Sequence, residues 1–351
     1  MNPSSLLQMQ GTPASLGYRM PAEWAPQEAV WLVWPKNTIT WPDSMLERVE
    51  QAFLSEIRAL LPGQKVRLLV DDVNASDRIR FALKGTEAFC NLDLREAPTE
   101  DSWIRDFGPT FLKKSDGSRA WCKWIFNAWG GKYEDLMRDN EVFRNPALIA
   151  DPAFDTGFIL EGGSIEVNGE GTCLTSEQCL LNPNRNPSMS KVQIEQKLRD
   201  YLGVSQILWL KEGIVGDDTD GHIDDIARFT DAGTIVAAFE TNQKDPNYTI
   251  LQENWERLEG MRTPSRGRWN LVKLPMPAPI MAEGEPLPAS YANFYIGNQV
   301  VLVPVFDDDN DFKALGILKE LFTGRKIIPV DAREMVYGLG TVHCLSQQEP
   351  L

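Results

Sequence analysis

Histidine is nearly absent from this chain: His222 and His343 are the only two in 351 residues. Cysteine is sparse and scattered, at Cys90, Cys122, Cys173, Cys179 and Cys344, an odd number with no CxxC pair. That pattern excludes a disulfide framework, and neither histidine lies near paired cysteines at the spacing of a zinc site. Clusters of Lys and Arg are missing too. With 50 acidic against 35 basic residues the formal charge is −15, which argues against a nucleic-acid or anionic-membrane surface. No apolar run approaches the roughly 18 residues of a transmembrane helix. Met1 to Gln10 lacks both the basic patch and the long apolar stretch of a signal peptide. These absences lead us to expect a soluble, cytoplasmic protein. Nucleotide signals also fail: Gly338-Leu339-Gly340 begins a GxG, but the chain ends 11 residues later, and there is no GxxxxGK[ST] or GxSxG. The acidic run Asp307 to Asp311 lacks the Gly and terminal Glu of a calcium loop and reads as a loop capping the next helix. Neither metal nor cofactor is expected.

What is present is a globular composition, 42% hydrophobic and 24% charged, and an internal repeat. Four segments combine an amphipathic helix with a following apolar strand. They are Met45 to Leu61 with Lys65 to Val70, and Lys191 to Tyr201 with Gln206 to Leu210, then Ile250 to Met261 with Trp269 to Leu274, and Phe312 to Phe322 with Lys326 to Val330. Ser190 and Gln193 form a capping-box signature ahead of the second helix. Between these units lie hairpins that turn at Asp116-Gly117, Asn168-Gly169, Asp231-Ala232-Gly233 and Gly297-Asn298, roughly 50 to 65 residues apart. A degenerate unit from Tyr133 to Leu160 fills the one gap and makes five units of about 70 residues. The fifth hairpin is expected from the two chain ends, Ala29 to Trp34 and Gly340 to Ser346, whose pairing would close a ring. Two unrelated α/β domains would give no reason for the recurring hairpin.

Polar clusters fall at equivalent places, just before or within the hairpins: Trp103 to Pro109, Leu160 to Ser164, Thr219 to Asp225, and Gly340 to Cys344. In a ring of similar units such places converge on the axis. Taken singly each is ordinary: Cys344 as a small buried hydrophobe, His222 satisfied by a neighbouring Asp, Glu161 as a turn acid, Asp106 in a salt bridge with Arg105. Read as strands, His343 and Cys344 point to opposite faces, which leaves His222 as the partner for the thiol. On the same reading His222 and Asp224 share a face and Asp225 points away.

Together these segments resemble the agmatine deiminases, within the guanidine-modifying superfamily that includes the Porphyromonas-type peptidylarginine deiminases. The resemblance runs through Arg19 to Trp24, Trp31 to Pro35, Trp103 to Pro109, Phe126 to Gly131, Leu160 to Ser164, Asn186-Pro187 and Gly221 to Asp225. It ends at His343-Cys344 and Ser346 to Pro350. It implies a five-bladed pseudo-fivefold α/β propeller (pentein) of repeated ββαβ units, with residues 1–351 as a single catalytic domain. It implies Cys344 as nucleophile and His222 as general acid/base, with Glu161 keeping His222 oriented and charged. Asp106 and Asp224 would hold the guanidinium nitrogens. The implied reaction is hydrolysis of agmatine to N-carbamoylputrescine and ammonia through a covalent amidino-cysteine. A small cationic guanidine is then the partner, and self-association into a homo-oligomer is allowed. Trp103 would pack along the methylene chain or over the cation. The acidic stretch Asp217-Asp218 and Asp220 would receive the far amine, with Asp218 where the family places a Glu. Further departures are Leu339 in place of Gly, and Glu166 and Asn168 in place of a His and an Asp. They keep open a peptidylarginine or arginine deiminase and, from a different class, a guanidinium-binding scaffold without catalysis.

Overall fold

The computed structural model describes residues 9–351. The signal-peptide reading of Met1 to Gln10 therefore falls almost wholly outside the described residues. Five sheets share one plan, in which the first strand runs antiparallel to the second and the second parallel to the third. One sheet joins Thr110–Lys113, Arg119–Ile125 and Ala153–Ile159. The next joins Glu166–Val167, Thr172–Ser176 and Gln206–Leu210. A third joins Ala227–Phe229, Thr234–Phe239 and Asn270–Pro275, and a fourth Tyr295–Ile296, Val300–Val305 and Lys326–Asp331. The chain ends build the fifth: Ser346–Pro350 lies antiparallel to Gln27–Val33, which is parallel to Lys65–Val70, and Leu92–Glu96 adds a fourth strand.

Parallel second and third strands require a crossover, and the helices supply it. Met45–Leu60 buries Val49, Phe53, Leu54, Ile57 and Leu60 on one stripe. Lys191–Leu202 starts at the reciprocal Ser190/Gln193 capping box and stops at Gly203 in the left-handed region. Tyr248–Gly260 and Asp311–Leu321 complete the set. In the degenerate unit the connection is a 3-10 segment, Glu134–Arg144. The hairpin turns form where Asx side chains accept backbone N–H groups: Asn168 Oδ1 from Glu170 and Thr172 at 3.0 Å each, Asp231 Oδ1 from Gly233 at 2.7 Å. The largest apolar cluster draws Trp31, Phe53, Phe107, Trp121, Tyr291 and Leu302 from three of the sheets, their crossovers and the segments ahead of them, so neighbouring units share a core. Among the described residues no helix is long and apolar enough to cross a membrane.

Two local expectations are corrected. Gly340 to Leu345 is a tight turn, and the strand begins only at Ser346. The segment bonds to itself, Leu345 N–H to the Thr341 carbonyl at 3.2 Å and Ser346 N–H to that of His343 at 3.1 Å. Likewise His222 precedes a 3-10 turn over Ile223–Asp225, so the alternation of a strand does not apply to either segment. The acidic run before Asp311–Leu321 does enter that helix, but Asn310 at its N-cap makes no side-chain capping bond, its Nδ2 donating instead to the Met276 carbonyl at 2.8 Å; Asp311 accepts the Phe306 N–H at 3.0 Å.

Candidate active site

Each of the five repeated sheets is entered by a short polar segment just ahead of its first strand. These segments carry Asp106, then Glu161 to Ser164, His222 to Asp225, Asn293, and His343-Cys344. Of these, Asp106 and Cys344 line a cavity of about 450 Å³, together with Trp103, Trp129, Lys132 and Asp218. His222, Glu161 and Asp224 are fully buried.

The Cys344 thiol is held from one side by Asn293, whose Nδ2 donates to Sγ at 3.1 Å and to Asp225 Oδ1 at 3.0 Å. Asn293 Oδ1 in turn accepts Thr341 Oγ1 at 2.7 Å and the His343 N–H at 3.0 Å, which fixes the tight turn. From the other side Asp224 Oδ2 stands 3.7 Å from Sγ. Asp225 does not point away: a carboxylate oxygen of it, one of Asp224 and Sγ all lie within 4.8 Å of one another. Burial pushes the thiol well above its ordinary range, and Asp224, Asp225 and Asp106 push it further. Asp225 and Asp106 are themselves held far above the usual carboxylate range, chiefly by burial and then by Asp224.

Asp106 is aimed by Trp129 Nε1, which donates to Oδ2 at 2.9 Å, and by the Gly163 N–H, which donates to Oδ1 at 3.0 Å. A Cβ on Gly163 would sit 2.4 Å from His222 Nδ1 and 3.0 Å from Asp106 Oδ1, which is why that close approach uses glycine. His222 Nδ1 stands 3.7 Å from Asp106 Oδ1, and neither ring nitrogen has a hydrogen-bond partner. Burial drives the imidazole down to about 3, so it is neutral near pH 7. Glu161 does not hold it charged. Its Oε1 accepts Arg185 Nε at 2.6 Å, its Oε2 is unpartnered, and burial keeps the carboxyl above its usual range despite Arg185. The expected orientation of His222 by Glu161 is not made through a hydrogen bond, since both imidazole nitrogens are without a partner.

His343 is not idle. Its Nδ1 lies 2.6 Å from Asp224 Oδ2 and its Nε2 2.8 Å from Glu23 Oε2. Glu23 Oε1 stands 3.1 Å from Arg228, whose Nε donates to Glu166 at 3.0 Å. Burial opposes the charge on Asp224, but His343 outweighs it and holds this carboxyl below its usual range. Glu166 is thus a structural anchor for Arg228.

At the mouth, Asp218 lines the cavity but is already engaged. Tyr133 donates its hydroxyl to Oδ2 and Lys132 Nζ lies 3.2 Å from Oδ1. The rest of the acidic stretch does not face the cavity. Asp217 accepts the N–H groups of Thr219, Gly221 and His222 at 2.7, 2.8 and 3.0 Å. Asp220 is paired with Lys132 at 2.9 Å and with Arg185 at 2.7 Å. Trp103 is buried at the wall, its ring tilted 40° against that of Trp41 with centroids 5.6 Å apart. Leu339 lines the same wall with φ 69, a left-handed conformation that costs a branched residue on the order of 1 kcal/mol. A Cβ on its neighbour Gly340 would meet Trp103 at 2.7 Å and Cys344 at 3.0 Å.

Residues 19–350 match the family model of the Porphyromonas-type peptidyl-arginine deiminases. The chain belongs to this family. Among its relatives, the agmatine deiminase of Stutzerimonas stutzeri is 38% identical over 97% of this chain and 98% of its own. Among solved structures, an agmatine deiminase of Enterococcus faecalis is 35% identical, covers 98% of this chain and 99% of its own, and superposes with a TM-score of 0.90. A C. jejuni agmatine deiminase with substrate bound is 34% identical, with coverages of 95% and 96% and a TM-score of 0.83.

Within this member of the Porphyromonas-type family, Asn293, Asp225, Glu23, His343 and Arg185 were not assigned to the site from sequence. Asn293 had a signal: it occupies, in its own repeat, the place that Asp106 or Cys344 occupies in theirs. Glu23, more than 300 residues from His343, had none. Two buried groups bring donor atoms within 4.8 Å, Glu161 with Cys179 and His222, and Asp224 with Asp225 and Cys344. In the first, Arg185 already occupies Glu161.

Proposed function

We propose that this protein hydrolyses agmatine to N-carbamoylputrescine and ammonia. The observation that carries this reading is the trio of buried carboxylates, Asp106, Asp224 and Asp225, gathered around one thiol at the cavity floor. A guanidinium is planar, cationic and rich in N–H donors, and it supplies the charge and hydrogen bonds these groups lack. Asp224 Oδ1 is an unpartnered buried acceptor of the kind such a donor satisfies. The similarity to agmatine deiminases, one of them with substrate bound, supports the choice of guanidine.

The chemistry follows from the charges. A guanidinium carbon is a weak electrophile, and a thiol surrounded by carboxylates is a weak nucleophile. Binding the cation against Asp106 and Asp224 removes the repulsion that keeps the Cys344 proton in place. That proton passes to neutral His222, and the thiolate attacks the central carbon. Protonated His222 then gives the proton to the departing nitrogen, which leaves as ammonia. Neutral again, His222 takes a proton from water, whose oxygen attacks the amidino-cysteine. Expulsion of the thiolate leaves the urea; the hydroxyl proton passes to the released ammonia as ammonium, and the proton on His222 returns to sulfur. Glu161 acts here through its charge near His222 and through Arg185. Asp218 receives the amine at the far end, and Trp103 covers the methylene chain. Water is the only co-reactant in this balance.

We take residues 1–351 as one catalytic unit, its five sheets set as blades of a pentein propeller. The entry of a site segment ahead of each sheet supports that arrangement. Five free cysteines support a reducing, cytoplasmic setting. The test is formation of ureido product from agmatine, arginine and an arginyl peptide, by the native protein and by Cys344→Ala. Agmatine is expected to be preferred, and Cys344→Ala to lose at least about a thousandfold in turnover. Absence of product from all three guanidines would overturn the enzyme reading. Preference for the peptide would move the substrate and keep the chemistry.

A further inference from the structure

Among the described residues lining the cavity, Lys132 is the one cation. Its ammonium is shared between Asp218 Oδ1 at 3.2 Å, Asp220 Oδ1 at 2.9 Å and the Asp218 carbonyl. Asp218 has a second restraint in the Tyr133 hydroxyl. Asp220 is in turn committed to Arg185 and to Asn184 Nδ2 at 2.9 Å. Asp218 is therefore balanced by the protein itself, while Asp106 and Asp225 at the floor have no Lys or Arg partner among the described residues. A ligand ammonium arriving at Asp218 meets a positive charge already in place.

We propose that Lys132 sets which far-end charge the cavity accepts, by competing with a substrate amine for Asp218. The proposal rests on the guanidine-hydrolase reading above and concerns the end of the ligand remote from the chemistry. Two features make Lys132 the determinant rather than a surface lysine. Asp218 and Lys132 are both about one-third exposed, at 35% and 29%, so solvent screening weakens the pair without removing it. And Lys132 follows directly on Asn127 to Gly131, a turn pinned by the Asn127 side chain accepting the Gly130 N–H at 2.9 Å. Trp129 of that turn aims Asp106. The backbone that orients the inner carboxylate thus also places the outer cation, and displacing the ammonium from Asp218 does not require the turn to move.

Three guanidines that differ only at the far end isolate the effect: agmatine with an ammonium, butylguanidine with none, and 4-guanidinobutyrate with a carboxylate. In Lys132→Met, kcat/KM for agmatine relative to butylguanidine is expected to rise about fivefold. That for 4-guanidinobutyrate relative to butylguanidine is expected to fall by a similar factor. Lys132→Arg, which keeps the charge, is expected to stay within about twofold of the native ratios. Unchanged ratios in Lys132→Met overturn the proposal. If Lys132→Met loses all turnover, Lys132→Gln decides by the same two ratios, because it retains a donor for the Asp218 carbonyl without the charge. A native protein that turns over none of the three instead overturns the guanidine-hydrolase reading, so the two failures are distinct.

Discussion

At the floor of the cavity, Asp106 and Asp224 have as ion-pair partners, among the described residues, only the imidazoles of His222 and His343, and Asp225 has none. At the mouth, Asp218 is held by Lys132 and Tyr133, and Asp220 behind it by Lys132 and Arg185. The two regions hold acids of the same type and treat them in opposite ways. Leaving a buried carboxylate without a cation costs several kcal/mol, a cost that persists only where a ligand completes the site. The floor is thus built for a charge that arrives, whereas Asp218 at the mouth is paired before anything arrives. Floor acids should then act on every guanidine alike, whereas mouth acids should act only on what the guanidine carries.

The largest test of that contrast is Asp225→Asn. The substitution keeps the shape and removes the titratable carboxyl, an oxygen of which lies within 4.8 Å of the thiol sulfur. We expect kcat/KM to fall about a hundredfold or more, equally for agmatine and butylguanidine. A loss confined to agmatine would place Asp225 with the mouth and break the comparison.

Protonation of the thiol sharpens it further. Burial, Asp224, Asp225 and Asp106 raise the Cys344 thiol, with Asn293 alone pulling it down. A raised thiol pKa means thiolate is scarce at neutral pH and gained only as pH rises. Alkylation by neutral iodoacetamide should therefore keep climbing past the ordinary thiol midpoint of about 8.5. A cationic haloacetamidine brings its own charge to the carboxylates, so its rate should level off at least about one pH unit lower. Labelling followed by mass spectrometry reads both profiles at Cys344. One shared midpoint near the ordinary value would contradict the charge arrangement proposed for the floor.

The fold was largely legible because its signals are local and repeated. The helix stripes, the capping box at Ser190 and the Asx turns at Asn168 and Asp231 each depend on residues a few positions apart, and all form as expected. The repeat then pointed to pairing of the two chain ends, which does form, but through Ser346–Pro350 rather than the expected Gly340 to Ser346. The site was legible only in part. Cys344, Asp106 and Asp224 do come together, but the side-chain directions at 343–344 and 222–225 were read from strand alternation, and both segments are tight turns. In a turn neighbouring side chains share a side, so Asp225 joins the thiol and His343 reaches Asp224. Glu23 and Arg185 escaped because their partners are set by packing between units, which no local spacing encodes.

The smallest effect belongs to Asp218→Asn. In the native protein its carboxylate is shared with Lys132 and Tyr133, so a substrate amine receives only part of its charge. Removing that charge should raise KM for agmatine about threefold, with kcat shifted less, because the change lies at the end remote from the thiol. It also strands Lys132 beside the amine with only Asp220 to balance it. The double variant Lys132→Met with Asp218→Asn removes both charges and should return KM for agmatine toward the native value. Steady-state kinetics on the native protein, the two single variants and the double variant give the coupling directly. Additive effects would mean that Lys132 and Asp218 do not act on the same ligand group. The contrast between a floor open to charge and a mouth closed on itself would then hold for the resting protein but not for substrate choice.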